Sequence, residues 1–528
     1  MAGMLAAQQR LQLAGQVVAQ PQSVPAPITG WNTRDALDEM PPTDALTLDN
    51  WYPDFSGCVV RNGFVQFASL PTTAPVRTLA EYNAGSIRKL LAAAGGAIWD
   101  ISFGGKSSGF SSGFSTGFGG SLAGGALGTL YSNDAWQTVP FLSRLFFCNG
   151  IDDAQVFDGT TISTIDFTGA PSLKFLGCVQ YQNRLFFWLP NSTGFYFADL
   201  NSISGPLAFF DLSAFSPHGG NLIAAVSFSH DGGDGVTNDI AFIMSSGDCL
   251  IYLGNDPSDI NFWALIGIYR ISPPVGPRAV CQYGAEAFLT TYDDHIPLQE
   301  QLVALKLGQL PPRSKVSTAV QDAVRANLQA FGWQALYYPR GRRLIFNIPN
   351  PDGTFAQHIQ NTALQTQPWC RFIGMEAYCW GLYKDSLYFG AAGGIIYQAD
   401  TGNLDAGTQA ISATAQQAWN MFESPMRKRV AAVRPMLQSS SAQNYTFTLG
   451  FDYSDPNITV LAATGAAGAI WDVSPWDTTP WSPENVVDPH WHVGGGTGQS
   501  VSANLTANAA TGMTWLRCDY RLEPGTAL

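Results

Sequence analysis

The sequence predicts an all-β protein: a β-propeller of about six or seven irregular blades, a C-terminal β-sandwich-like domain, and one inserted helix. Three observations predict it. Arg144–Gly159 (RLFFCNGIDDAQVFDG) is echoed by Arg184–Asp199 (RLFFWLPNSTGFYFAD), each an apolar run, a polar turn and an aromatic return. The offset of about 40 residues is the spacing of a four-stranded blade. Weaker copies start at Lys89, Asp239, Ala285, Arg343 and Asp385, giving about seven hairpins between residues 76 and 402. Finally, only 13% of residues are charged while Gly (54) and Pro (32) abound, as short strands punctuated by turns require.

In chain order, residues 1–28 are an Ala/Gln-rich arm ending in a Pro-containing stretch, either flexible or ordered only against a neighbour. Residues 29–75 lack periodicity before Cys58. Asp44, Asp49 and Asn50 supply local polar-to-backbone bonding, and Trp51, Tyr52 and Phe55 are expected to pin an extended anchoring segment. The propeller is assigned to 76–408, with insertions at 104–128 and 302–332. The first is low-complexity, with Phe110, Phe114 and Phe118 at a spacing of four among Ser and Gly. Those rings either dock on a neighbour or cover the chain's own blades. The second holds the helix, Ser314–Phe331, with a stripe of Val316, Val320, Val324, Leu328 and Phe331. From 409 to 528 the strands lengthen; Tyr445, Phe447, Leu449 and Phe451 alternate strictly, and Trp471, Trp476 and Trp481 recur every five residues.

A net charge of −13 argues against an external nucleic-acid binder, but not against a conduit through which DNA slides. The few charges fit either a surface buried against partners or one rich in uncharged polar groups. Eight cysteines without close ligand spacing read as reduced, mostly buried thiols of a protein folded in a cytoplasm. No apolar run reaches membrane-spanning length, so no stable membrane insertion is expected.

Candidate chemistry is sparse. His490 and His492 could share a strand face, but no nearby Cys or Glu completes a metal set. Asp231–Gly235 lacks the alternating carboxylates of a calcium loop and reads as a turn. The adjacent acids Asp152/Asp153 and Asp293/Asp294 lie in hairpin turns, where acids usually cap backbone rather than hydrolyse sugars. No catalytic, metal or cofactor fingerprint is found. Two basic clusters stand out: Arg340, Arg342 and Arg343, and Arg427, Lys428 and Arg429. Their readings are solvated turns, or contacts to an acidic partner subunit or DNA phosphate, with a subunit contact preferred.

Gly30-Trp-Asn-Thr-Arg34, Leu48-Asp-Asn-Trp-Tyr-Pro53 and Val59-Val-Arg-Asn-Gly-Phe64 resemble the N-terminal signature of short-tailed bacteriophage tail proteins, the nozzle or tail tubular protein B group. Asp134–Gly159, Pro368–Gly402 and Trp471-Asp-Val-Ser-Pro-Trp476-Asp are similar to later parts of that group, so the resemblance spans most of 29–528. Lys106–Leu127 departs from it. The resemblance implies a virion structural protein, made in the host cytoplasm. It implies a ring, usually of six copies, below portal and adaptor proteins. Such a ring continues the DNA channel, retains the genome, lets it exit on ejection, and carries tail fibres or spikes nearby. It implies no catalytic residues. The alternative is a propeller-type receptor- or glycan-binding tail component.

Overall fold

The computed structural model describes residues 20–103, 125–231, 236–439, 444–454, 458–464, 486–487 and 490–524. The chain forms two compact units. One comprises residues 64–360 and 373–401; the other comprises 1–63, 361–372 and 402–528.

The first unit is a β-propeller. Among the described residues, six separate antiparallel sheets and one further blade-like set of strands, Gln334–Tyr338, Arg343–Pro349 and Phe355–Asn361 of a larger sheet, follow one another in chain order. Their first strands are Thr78–Ala84, Gln137–Phe141, Gly177–Tyr181, Leu222–Asp231, Val280–Tyr283, Gln334–Tyr338 and Cys379–Tyr383. Each lies beside the next, and the last lies beside the first, so the ring closes. This count stands within the expected six or seven. Closure is made by Phe64–Ser69, which pairs antiparallel with Ile395–Ala399 as the outer strand of the last sheet. Phe64 fixes it there, edge-on to Phe389 and Tyr397.

The repeated Arg-Leu-Phe-Phe runs are second strands, Arg144–Cys148 and Arg184–Trp188. A blade has a neighbour on each face, so both faces of its strand must be apolar and alternation disappears. Phe147 packs with Trp136, at the start of its own blade, and with Tyr82 of the preceding one, while Phe146 packs with Phe187 of the following one. One copy later, Phe186 reaches on to Phe242 and Trp263. Two-residue turns precede these strands: Leu142-Ser143, Gln182-Asn183 and, in the last blade, Lys384-Asp385, all at positive φ. Such turns match the right-handed strand twist.

Among the described residues, two α-helices are present where the sequence singled out one. α1 spans Leu298–Lys306 and α2 spans Ser317–Asn327. α1 is nine residues long, too short for periodicity to distinguish it from the hairpin before it. Leu298 and Leu302 pack under Leu289 and Ile296. Val316, Val320 and Val324 are buried as expected, but Leu328 and Phe331 lie beyond the end of α2.

The second unit is sandwich-like, with two sheets that each bury one face. Trp51–Asp54, Gly57–Val60, Met513–Pro524 and Lys428–Ser439 run through one; Asp44–Asp49, Gln409–Gln417, Val501–Ala509, Asn444–Phe451 and Ile458–Thr464 run through the other. Tyr445, Phe447, Leu449 and Phe451 do point inward. The end of the N-terminal arm is ordered against the chain itself. Gln20–Pro25 pairs with Met513–Pro524, its prolines tolerable on an outer strand. Trp51 and Tyr52 are buried as expected, but Phe55 is 78% exposed at a turn.

Residues 1–19, the insertion bearing Phe110, Phe114 and Phe118, most of the Asp231–Gly235 turn, and Trp471, Trp476 and Trp481 lie outside the described residues.

Candidate functional site

Three places carry polar groups worth a functional reading. The first is a network in the sandwich-like unit. Arg371 forks onto Asp49 with two contacts of 2.7 Å, and its guanidinium lies 5.3 Å from the Trp31 ring. Arg61, almost fully buried, donates to Asn50 at 2.8 Å and to Asp405 at 2.7 and 2.8 Å. Asn50 in turn donates twice to the main chain, its side-chain amide to Ser412 O and its own N–H to Arg371 O. Gly30, at φ 92°, has no room for a Cβ, which would stand 2.6 Å from the Trp369 backbone. The chemistry of these residues is satisfied internally: they lock three distant stretches together.

The second is the pair of basic clusters. Arg340 and Arg342 sit exposed in the turn between Gln334–Tyr338 and Arg343–Pro349, whereas Arg343 is paired to Asp400 at 3.1 Å. Arg427 and Arg429 are exposed, Arg429 3.7 Å from Glu523. Lys428 departs from the expectation of an outward contact. It is buried, and its ammonium donates to the carbonyls of Met421, Ser424 and Gln499 at 2.6–2.9 Å. Three donors meet three acceptors, so Lys428 holds a loop and has no proton left for a partner.

The third is the propeller axis. Three cavities, of about 280, 340 and 340 Å³, adjoin there and share linings from the first strands. Gln137 is common to the first two; Gln180, Ser227 and Gln282 are common to the second pair. Among the described residues, no carboxylate lines any of the three. Burial pushes Tyr181 and Cys281 up to about 12, so both are neutral. Among the described residues, the one cation in these linings is Arg278, at the end marked by Phe331 and Trp333.

The hairpin acids hold loops. Burial works to raise the pKa of Asp152, but donation from Ser132, Asn149 and Asn133 outweighs it and holds the carboxyl low. Asp294 is buried and its pKa is raised by that burial, against donation from Ser314 and His295. They belong to different blades, where each holds its own turn. Among the described residues, no group of three His, Cys, Asp or Glu is placed to hold a metal, and no helix is long and apolar enough to cross a membrane.

Sequence reasoning missed a buried histidine pair. His295 Nε2 lies 3.1 Å from His358 Nδ1, and its Nδ1 lies 3.0 Å from Thr290 Oγ1. His295 stacks on Phe346, centroids 4.0 Å apart, and burial pushes its pKa down to about 3. The two imidazoles are 63 residues apart, and no local signal joins them.

No family model and no curated protein matches the chain. Solved structures of loose similarity include a computationally designed protein, Ika8, at 10% identity and a TM-score of 0.34, covering 63% of this chain and 99% of that one. BBS1N in complex with ARL6DN gives 10%, 0.39, 64% and 97%; YCF48 from Cyanidioschyzon merolae gives 10%, 0.35, 64% and 98%. Likenesses of this size carry no argument about function.

Proposed function

We propose that this chain is a non-enzymatic structural subunit of a short-tailed phage virion, a nozzle that closes into a ring of about six copies and continues the DNA channel. The reading rests on the order of the motifs along the chain, and one surface observation supports the assembly. Trp263–Arg270 is the outermost strand of its blade and has no further strand partner among the described residues. On its outward face stand Ile266 (49% exposed) and Ile268 (40%), with Ile260 (89%) and Phe262 (59%) in the loop before it. An unpaired edge with apolar residues facing water is a liability in a monomer and an asset in an obligate assembly.

The signature residues fit a structural role, because Gly30, Asp49, Asn50 and Arg61 join segments rather than face solvent. Portal and adaptor proteins, tail fibres or spikes, and the passing genome are the partners this reading implies. Arg340, Arg342, Arg427 and Arg429 are exposed cations that could face acidic neighbours. A propeller-type receptor- or glycan-binding tail component is the competing reading.

The test is the molar mass of the purified chain by light scattering. The expected result is a ring of about six copies that Ile266→Lys with Ile268→Lys converts to monomers of unchanged circular dichroism. A parent that remains monomeric at high concentration, in virions as well as in solution, would sink the proposal.

A further inference from the structure

The axial cavity beside Arg278 has the chemistry of a ligand site. Arg278 has five N–H donors, and two are used: Nη1 to Arg77 O at 2.8 Å and Nη2 to Gln334 Oε1 at 3.4 Å. Among the described residues no carboxylate lies within ion-pair distance of it. Its guanidinium stands 5.4 Å from the Phe331 ring, and the Arg77 guanidinium stands 4.9 Å from the same ring. Stacking engages the flat face of a guanidinium and leaves the N–H edge for in-plane acceptors. Two cations on one ring repel each other, and an anion would relieve them. Asp134, the acid that Arg77 influences, already accepts from Gly96 N–H, and Arg77 pulls its pKa downward against a larger rise from burial.

The amide donor of Gln137 meets no acceptor among the described residues and is closed off from water, so a turn of its side chain is what would bring it to a ligand. Gln137 lines this cavity and the next one along the axis. The volume, about 280 Å³, is near the lower end for small-ligand sites. Trp333 and Phe331 provide apolar wall, Asn133 and Gln137 polar wall, and no carboxylate stands in the lining to oppose negative charge. In a chain of net charge −13, that absence along the axis is itself selective.

We propose that this cavity binds a sugar-sized polyhydroxylated anion, with Arg278 taking the carboxylate or phosphate and Gln137 donating to a hydroxyl or ring oxygen. The proposal rests on the axial geometry and on neither the ring nor the glycan-binding reading.

The experiment is isothermal titration calorimetry on the full chain with glucuronic acid, glucose 6-phosphate, inorganic phosphate and glucose. Glucuronic acid or glucose 6-phosphate is expected to bind at least about tenfold more tightly than glucose, and the better of the two identifies the acidic group. Stronger binding of these sugars than of inorganic phosphate supports the amide contacts; equal binding overturns the sugar part. Arg278→Gln is expected to weaken binding about tenfold or more, with Arg278→Lys intermediate. Should Arg278→Gln not fold, Gln137→Met, near in shape, decides: weakened binding supports the site and unchanged binding overturns it. Equal affinity for glucuronic acid and glucose, or no binding by any probe, also overturns it.

Discussion

Arg61 shows how much can depend on one side chain. Its charge is out of water, and Asp405 and Asn50 are what make that tolerable. Asp405→Ala should therefore destabilise the sandwich-like unit by about 3–5 kcal/mol, read from denaturant midpoints. Arg34→Ala, which breaks an exposed pair with Asp35, should change stability by less than about 1 kcal/mol. Gly30→Ala should also destabilise, since a left-handed φ and the Trp369 backbone both exclude a Cβ. At His295 the sign follows from the neutral folded form. An unfolded histidine takes up a proton near pH 6.5, while the folded one resists until about 3. The stability this neutral histidine contributes is complete above about 6.5 and is lost progressively as pH falls towards 3, at up to about 1.4 kcal/mol per unit. His358 and Asp294 border it, so the clean comparison is with His295→Gln, whose urea midpoint should fall less between pH 7 and 5. Little of this was visible in the sequence: Arg61 and Asp405 are distant in the chain, as are His295 and His358.

At the scale of elements, legibility followed locality. The Arg144 and Arg184 hairpins announce themselves because each strand meets its partner within a few residues, and because a blade is apolar on both faces. The closing strand Phe64–Ser69 does not, since its partner Ile395–Ala399 lies at the far end of the propeller. α1 is hidden by its shortness, and Lys428 looked like surface charge because its three acceptors come partly from Gln499. The turns make a separate prediction. Leu142 is half exposed at φ 45°, a conformation that costs an ordinary residue about 1 kcal/mol. Leu142→Asn should raise the thermal midpoint by a few degrees. Phe146→Ala and Phe147→Ala should each cost about 3–5 kcal/mol, because they leave holes in two different inter-blade cores.

For the whole molecule, the sequence divides the chain by order, whereas the compact units are interleaved. The described residues of 20–63 and 361–372 fold with those of 402–524, a grouping set by strand pairing across hundreds of residues. The propeller class was legible because its repeat is local; this grouping was not. The same long-range assembly places Gly30–Arg34 and Leu48–Pro53 in one unit and leaves Ile266 and Ile268 on an outer edge of the other. The account's central claim, a ring-forming tail subunit, is tested most directly by cryo-electron microscopy of the intact virion carrying this chain. The account predicts about six copies around the DNA exit channel, touching through the Trp263–Arg270 edge. A single copy, or copies standing away from the channel on peripheral appendages, would contradict it.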